Sequence, residues 1–243
     1  MNYNGGVNLR KEIKTRIEMI SRGEVPEGYK KTKVGIIPED WEVKRLGEVS
    51  NGKGKYGANA PAVEYTSHLP KYLRITDIDD SGRIIKKTQM SVNIDNYDEF
   101  LLSKDDLVFA RTGNTTGKTY LYNEEDGELV YAGFLIKFSI NQKLASSKFI
   151  KLYTETKNYW DWVKVMSARS GQPGINSKEY EKLRVPQPAL PEQQKIAQIL
   201  STWDQAIELK EKLIEEKKEQ KKGLMQKLLT GEVRLPGFDG EWE

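Results

Sequence analysis

One uninterrupted helical run constrains this chain more than any other feature. In LPEQQKIAQILSTWDQAIELKEKLIEEKKEQKKGLMQKLLTG no Gly or Pro falls between Glu192 and Lys222. Pro191 stands at the first helical position, where its missing N–H costs nothing, and Gly231 supplies the stop. A helix of about 40 residues is roughly 60 Å long, too long to pack along its whole length on a domain of about 150 residues. Steps of four and three pick out Ile196, Leu200, Trp203, Ile207, Lys210, Ile214, Lys217, Lys221, Leu224 and Leu228. That heptad seam is apolar at both ends and lysine-rich between them. Part of the helix must therefore meet another helix. Ile196, Leu200, Trp203, Ile207, Ile214, Leu224 and Leu228 are the candidate dimer or partner interface.

The rest of the 243-residue chain reads differently. Residues 8–22 have Leu9, Ile13, Ile17 and Ile20 on one stripe and predict a short amphipathic helix, ended by Gly23 and Pro26. From Trp41 to about Val185 short apolar runs alternate with turn signals: LRITDI (73–78), LVFA (107–110), KTYLY (118–122) and LVYAGFLIKFSI (129–140). These predict mostly antiparallel strands and hairpins. Helical spacing returns over 147–166, with Phe149, Leu152, Tyr153, Trp160 and Val163 as the buried side. The expected class is α+β: a strand-rich domain followed by a long coiled-coil-forming helix. The expected division is an N-terminal helix (1–25), a globular domain (26–190), the long helix (191–231) and an exit segment (232–243).

Several chemistries lack their residues. With no Cys there is no thiolate nucleophile and no Cys-ligated metal, and His68 alone cannot make a two-His site. His68, beside Pro70 in a polar loop, reads as a surface residue. No apolar run approaches the ~18–20 residues of a membrane span. The start lacks the apolar stretch of a signal peptide, so a cytoplasmic location is expected. A net charge of +3 leaves any basic patch to be local. Glu179 and Glu181 have no aspartate at a recognisable nuclease spacing. GNTTGKT (113–119) misses the phosphate-binding loop, because Thr112 stands where Gly is needed and a strand-like segment follows in place of a helix. No metal and no cofactor are expected.

Three loops carry groups suited to nucleic acid. The first, 51–60, sets Lys53, Lys55 and Tyr56 among three glycines. The second presents Arg111, Thr112, Asn114, Thr115, Thr116 and Lys118; the third presents Arg169, Ser170, Gln172 and Asn176. Arg and Lys bind phosphate or guanine, Asn matches the adenine edge, and Thr offers both a hydroxyl and a methyl. A plain flexible loop, a glycine-rich hairpin turn and a ligand-free connector are the respective alternatives. Arg74, in YLRITDIDDSGRI, joins the candidate set.

The chain also echoes itself. GEVPEGYKKTKVGIIPEDWE (23–42) and GEVRLPGFDGEWE (231–243) each follow a helix and each end in an acidic residue and Trp-Glu. Together with GIIPEDWEVKRLGEV (35–49), DDLVFARTGNTTGKTYLY (105–122) and SGQPGINSKEYEKLRVPQPALPEQQKIAQIL (170–200), this order resembles the specificity subunit of type I restriction-modification systems. That family usually carries two target recognition domains, each followed by a long helix, with the helices paired antiparallel. This chain resembles one half of such a subunit. The resemblance implies a non-catalytic reader of double-stranded DNA, homodimeric through the long helix and reading an interrupted palindrome. It further implies docking of adenine methyltransferase subunits and of a restriction or translocase subunit. An antiparallel partner helix would set the lysine-rich middles beside Glu208, Glu211, Glu215, Glu216 and Glu219. A coiled-coil adaptor whose head binds protein, and an enzyme acting alone on nucleic acid, are the competing classes. The second lacks a catalytic constellation and the Asn-Pro-Pro-aromatic motif of adenine methyltransferases.

Overall fold

The computed structural model describes residues 4–168, 172–238 and 240. In chain order, α1 (Asn4–Ser21) precedes β1 (Tyr29–Thr32), β2 (Gly35–Pro38), β3 (Glu42–Arg45), β4 (Lys55–Tyr56), β5 (Ala62–Val63), β6 (Lys71–Leu73) and β7 (Met90–Val92). Next come β8 (Asp106–Ala110), β9 (Thr119–Leu121), β10 (Leu129–Tyr131) and β11 (Leu135–Ser139). The chain continues through α2 (Ser147–Tyr153), α3 (Lys157–Ser167), α4 (Ser177–Glu181), β12 (Arg184–Gln187) and α5 (Leu190–Leu229). It divides into two compact units, Met1–Ala197 and Gln198–Glu243. The fold is α+β, strand-rich with a long C-terminal helix, as the sequence predicts.

Two four-stranded sheets, ordered β10-β6-β7-β5 and β4-β11-β8-β9, form the body. Pairing is antiparallel except between β10 and β6. β8 reads as a continuous apolar run because both its faces are covered. Leu107 and Phe109 pack with Phe138, Tyr159 and Tyr180, whereas Val108 and Ala110 pack with Leu73, Tyr131 and Leu135. The facing strand β11 places Lys137 in this interior, 3.1 Å from Asp106. Lys137 also donates to the Leu101 carbonyl at 3.1 Å and lies 5.4 Å from the Tyr131 ring centre. Asp106 accepts from the Ser103 N–H at 2.9 Å and from the Ser139 hydroxyl. Both charges are therefore compensated by partners, as burial demands. Burial, with the nearby Asp106 charge, pushes the Tyr131 phenol well above its ordinary range.

Three local expectations change. LVYAGFLIKFSI is not one strand: it breaks at Ala132–Phe134, and its halves join different sheets. The break is held from outside, since Ala58 N–H donates to Tyr131 and Gly133 N–H donates to Ala58, at 2.9 and 2.7 Å. In LRITDI only Leu73 is strand; a 3-10 turn over Ile75–Asp77 follows. The segment 147–166 is two helices, because the Thr156 hydroxyl caps a new start by accepting from Tyr159 N–H. The buried face is reset there, so Tyr159 is fully buried and Trp160 stays 40% exposed.

β3 and β12 pair antiparallel, Arg45 opposite Arg184, and bring the two ends of the globular part together. The first turns of α5 are anchored by Gln193 and Ala197, both buried. The Gln193 amide accepts from Ser146 N–H and donates to the Pro188 carbonyl, each at 2.9 Å. Beyond Ala197 the helix is polar or exposed. Leu200, Trp203, Ile207, Ile214 and Leu224 are exposed, while Ile196 and Leu228 are half-buried. Ile199 and Leu213, exposed as well, fall on the same stripe and widen it to three positions in seven over its first half. At both echoed segments a left-handed glycine ends the helix, Gly23 at φ +78° and Gly231 at φ +73°.

Candidate nucleic-acid interface

The three loops converge although they are far apart in the chain. β4 and β8 flank β11 on its two sides and run parallel, so Tyr56 in β4 is level with Phe109, near the end of β8 from which the second loop leaves. The third loop is stitched to the second by backbone bonds. Gly113 N–H donates to Pro173 at 3.0 Å, and Ile175 N–H donates to Arg111 at 2.9 Å. It is stitched to the first through Ser177, whose N–H donates to the Tyr56 hydroxyl at 3.1 Å and whose own hydroxyl donates to Gly54 at 2.8 Å. Arg169 and Ser170 lie outside the described residues.

Arg111 stands at the centre. Its guanidinium carbon lies 5.2 Å from the Tyr56 ring centre and 5.7 Å from that of Phe134. Nε donates to the Gly133 carbonyl at 3.0 Å, which fixes the plane of the group. No described residue engages its two Nη groups. A guanidinium clamped this way presents a pre-oriented two-donor fork. Tyr56 and Phe134 are 45% and 54% exposed, so the sandwich sits on an open rim. Beside it lies a cleft of about 510 Å³, lined also by Ala60, Tyr72, Arg74 and Thr76. Sequence reasoning misses Phe134, because it sits within an apolar run that reads as strand. The signal is the Gly133-Phe134 pair at the break.

The remaining candidates divide by what already occupies them. Lys53 and Lys55 are exposed, as are Asn114 and Gln172 at the loop tips. Arg74 lines the same cleft but is tied to Asp77 at 2.9 and 2.7 Å and to the Thr88 carbonyl at 2.8 Å. Hydrogen bonding to Asp77 raises its pKa further. Lys118 leaves the rim and pairs with Asp80 at 2.8 Å. Thr115 and Thr116 donate their hydroxyls to Thr112 and Gly113, and Thr116 is buried. Thr112, half-buried, bridges to Gly174. Asn176 caps α4, accepting from Glu179 N–H at 3.0 Å. These last four build the loops, and Arg111, Asn114 and Gln172 are what the loops present.

Among the described residues, no group of His, Asp and Glu could hold a metal ion, and no helix is long and apolar enough to cross a membrane. Residues 38–219 match the type I restriction modification DNA specificity domain. The chain is 28% identical over 207 residues to the type I restriction enzyme MjaVIII specificity subunit of Methanocaldococcus jannaschii, covering 84% of this chain and 45% of that protein. It is 30% identical over 212 residues to the putative MjaX specificity subunit of the same organism, covering 84% and 49%. The chain thus spans about half the length of these relatives. Among solved structures, the type I restriction-modification S subunit from M. genitalium shares the fold, with a TM-score of 0.52 and 16% identity over 77% of this chain and 45% of that one. With most of its length inside that domain, this chain belongs to the type I restriction-modification DNA specificity family.

Proposed function

We propose that this chain reads the sequence of duplex DNA and performs no catalysis itself, leaving methyl transfer and any cleavage to partner subunits. The observation that carries this reading is the clamped Arg111, whose two Nη groups no described residue engages, on a rim where three loops meet. Such a fork matches the O6/N7 edge of guanine in the major groove. Asn114 and Gln172 stand ready for adjacent bases, and Lys53 and Lys55 for phosphate.

The finer assembly follows from α5. Its exposed stripe of Leu200, Trp203, Ile207 and Ile214 needs a helical partner, since apolar contacts of this spacing are stable in water only when covered. A second copy of this chain, antiparallel, supplies the same stripe and opposes lysines to glutamates along the middle. A two-fold dimer then carries two readers and recognises an interrupted palindrome, and adenine methyltransferase subunits dock on the helical region. A restriction or translocase subunit joins the complex through them.

The test is a map of modified bases in DNA from cells expressing the chain with its methyltransferase, against cells lacking only this chain. Methyladenine in an interrupted palindrome supports the whole reading. An asymmetric bipartite motif overturns the homodimer alone. Identical maps, with an active methyltransferase, overturn DNA reading and leave an adaptor whose head binds protein.

A further inference from the structure

A second cleft, of about 560 Å³, is lined by Arg45, Gly47, Glu48, Gly52, Lys53, Lys178, Glu181 and Lys182. Its cations come from three places in the chain: the end of β3, the turn before β4, and α4. Lys178 and Lys182 are four residues apart and share a helical face. Among the described residues none of the four cationic side chains has an ion-pair partner. Of the two carboxylates, Glu48 accepts from the Arg45 backbone N–H, and Glu181 packs against Gly47. Four cations against two carboxylates leave a local excess of positive charge in a chain whose charges otherwise nearly balance. Cations gathered in a cleft raise its local potential and draw anions to it.

We propose that Arg45, Lys53, Lys178 and Lys182 form a phosphate-binding cleft that grips the backbone of duplex DNA while Arg111 meets the bases. This assignment rests on the DNA-reading function above. Placement supports it: Ser177, next to Lys178, holds both the Lys53 loop and the Tyr56 hydroxyl, so the cleft and the Arg111 rim are built on one rigid connection. A contact to phosphate carries no sequence information. The cleft therefore supplies affinity and register, and the rim supplies selectivity.

The experiment measures binding of the full chain to a short random-sequence duplex and to its target, by fluorescence anisotropy, between about 50 and 200 mM salt. The combined change Arg45→Gln, Lys178→Gln and Lys182→Gln is expected to make log K less steep against log salt by about 2 to 3, at about 0.9 per lost phosphate contact. The ratio of target to random binding stays unchanged. The charge-preserving set Arg45→Lys, Lys178→Arg and Lys182→Arg keeps the slope. An unchanged slope in the Gln variant, with wild-type binding intact, overturns the cleft and leaves the function standing. A changed target-to-random ratio would place these residues in base reading and overturns it too. Displacement of the duplex by inorganic phosphate at low concentration would make the cleft a free-anion site. Absence of salt-dependent DNA binding by the wild type overturns the function as well.

Discussion

Replacing Arg111 with Lys separates the two things that a cation can do for DNA. The charge stays, so any contribution to attraction by phosphates stays with it. The planar fork is lost, together with its contacts to Tyr56 and Phe134, at 5.2 and 5.7 Å from the guanidinium, and the 3.0 Å bond from Nε to Gly133. A lysine ammonium is a single mobile point on a flexible stem and cannot offer two parallel donors to one base. A good bidentate contact discriminates against a wrong base by about 1–3 kcal/mol, so preference for the target over a duplex altered at that base falls about 5- to 150-fold. The salt slope remains within error of wild type. Competition binding with target and single-base-altered duplexes reads the ratio, and thermal melting confirms that the fold is intact. A ratio unchanged within twofold in Arg111→Lys but lost in Arg111→Ala would mean that Arg111 acts only as a charge. Retention in both variants would remove it from the reading surface.

Other substitutions test the frame that holds this rim. Lys137→Met leaves Asp106 buried without its counter-charge and is expected to cost about 3–5 kcal/mol, lowering the melting temperature by about 6–20 °C; a loss below about 1 kcal/mol would show that water reaches the pair. Gln193→Leu orphans Ser146 N–H and the Pro188 carbonyl and should destabilise by about 2–4 kcal/mol in denaturant melts, with retention of full stability counting against the anchoring of α5. Trp203→Ala with Leu224→Ala is expected to leave the globular unit's melt unchanged and to abolish self-association on a sizing column. An intact dimer would move the interface off this stripe.

Much of this was readable because local chemistry decided it. The long helix followed from an unbroken run with no Gly or Pro from Glu192 to Lys222, and β8 from the four apolar residues Leu107–Ala110, covered on both faces. Arg74 and Arg111 show where local reading stops short. Each follows a strand and precedes a 3-10 turn, but Arg74 caps its turn with Asp77 three residues on, whereas Arg111 stands one residue before the cap, with Asn114 three residues on. The carboxylate captures its arginine; the amide does not. Asn176 with Glu179 is likewise a capping pair visible in the sequence, which assigns that asparagine to helix initiation. Phe134 and the Ser177 link were not readable, because each depends on a partner far along the chain. Ser177 meets Tyr56 across 121 positions, and no periodicity reports such a contact.

On the proposed function, the same division lets the rim change its target without losing its fold. Gly117 has φ +94°, its carbonyl takes the buried Tyr159 hydroxyl at 2.6 Å, and a Cβ there would meet Val163 at 2.7 Å. Thr116 is buried and bonded within its own turn. These residues set the shape of the loop and have no freedom to vary. Asn114 and Gln172, at the exposed tips, carry no bond that the fold needs. Exchange of their side chains alters the donors and acceptors offered to DNA while the turn beneath stays closed. On the proposed function, recognition varies at the exposed Asn114 and Gln172, because the bonds that close the turn belong to Thr116 and Gly117.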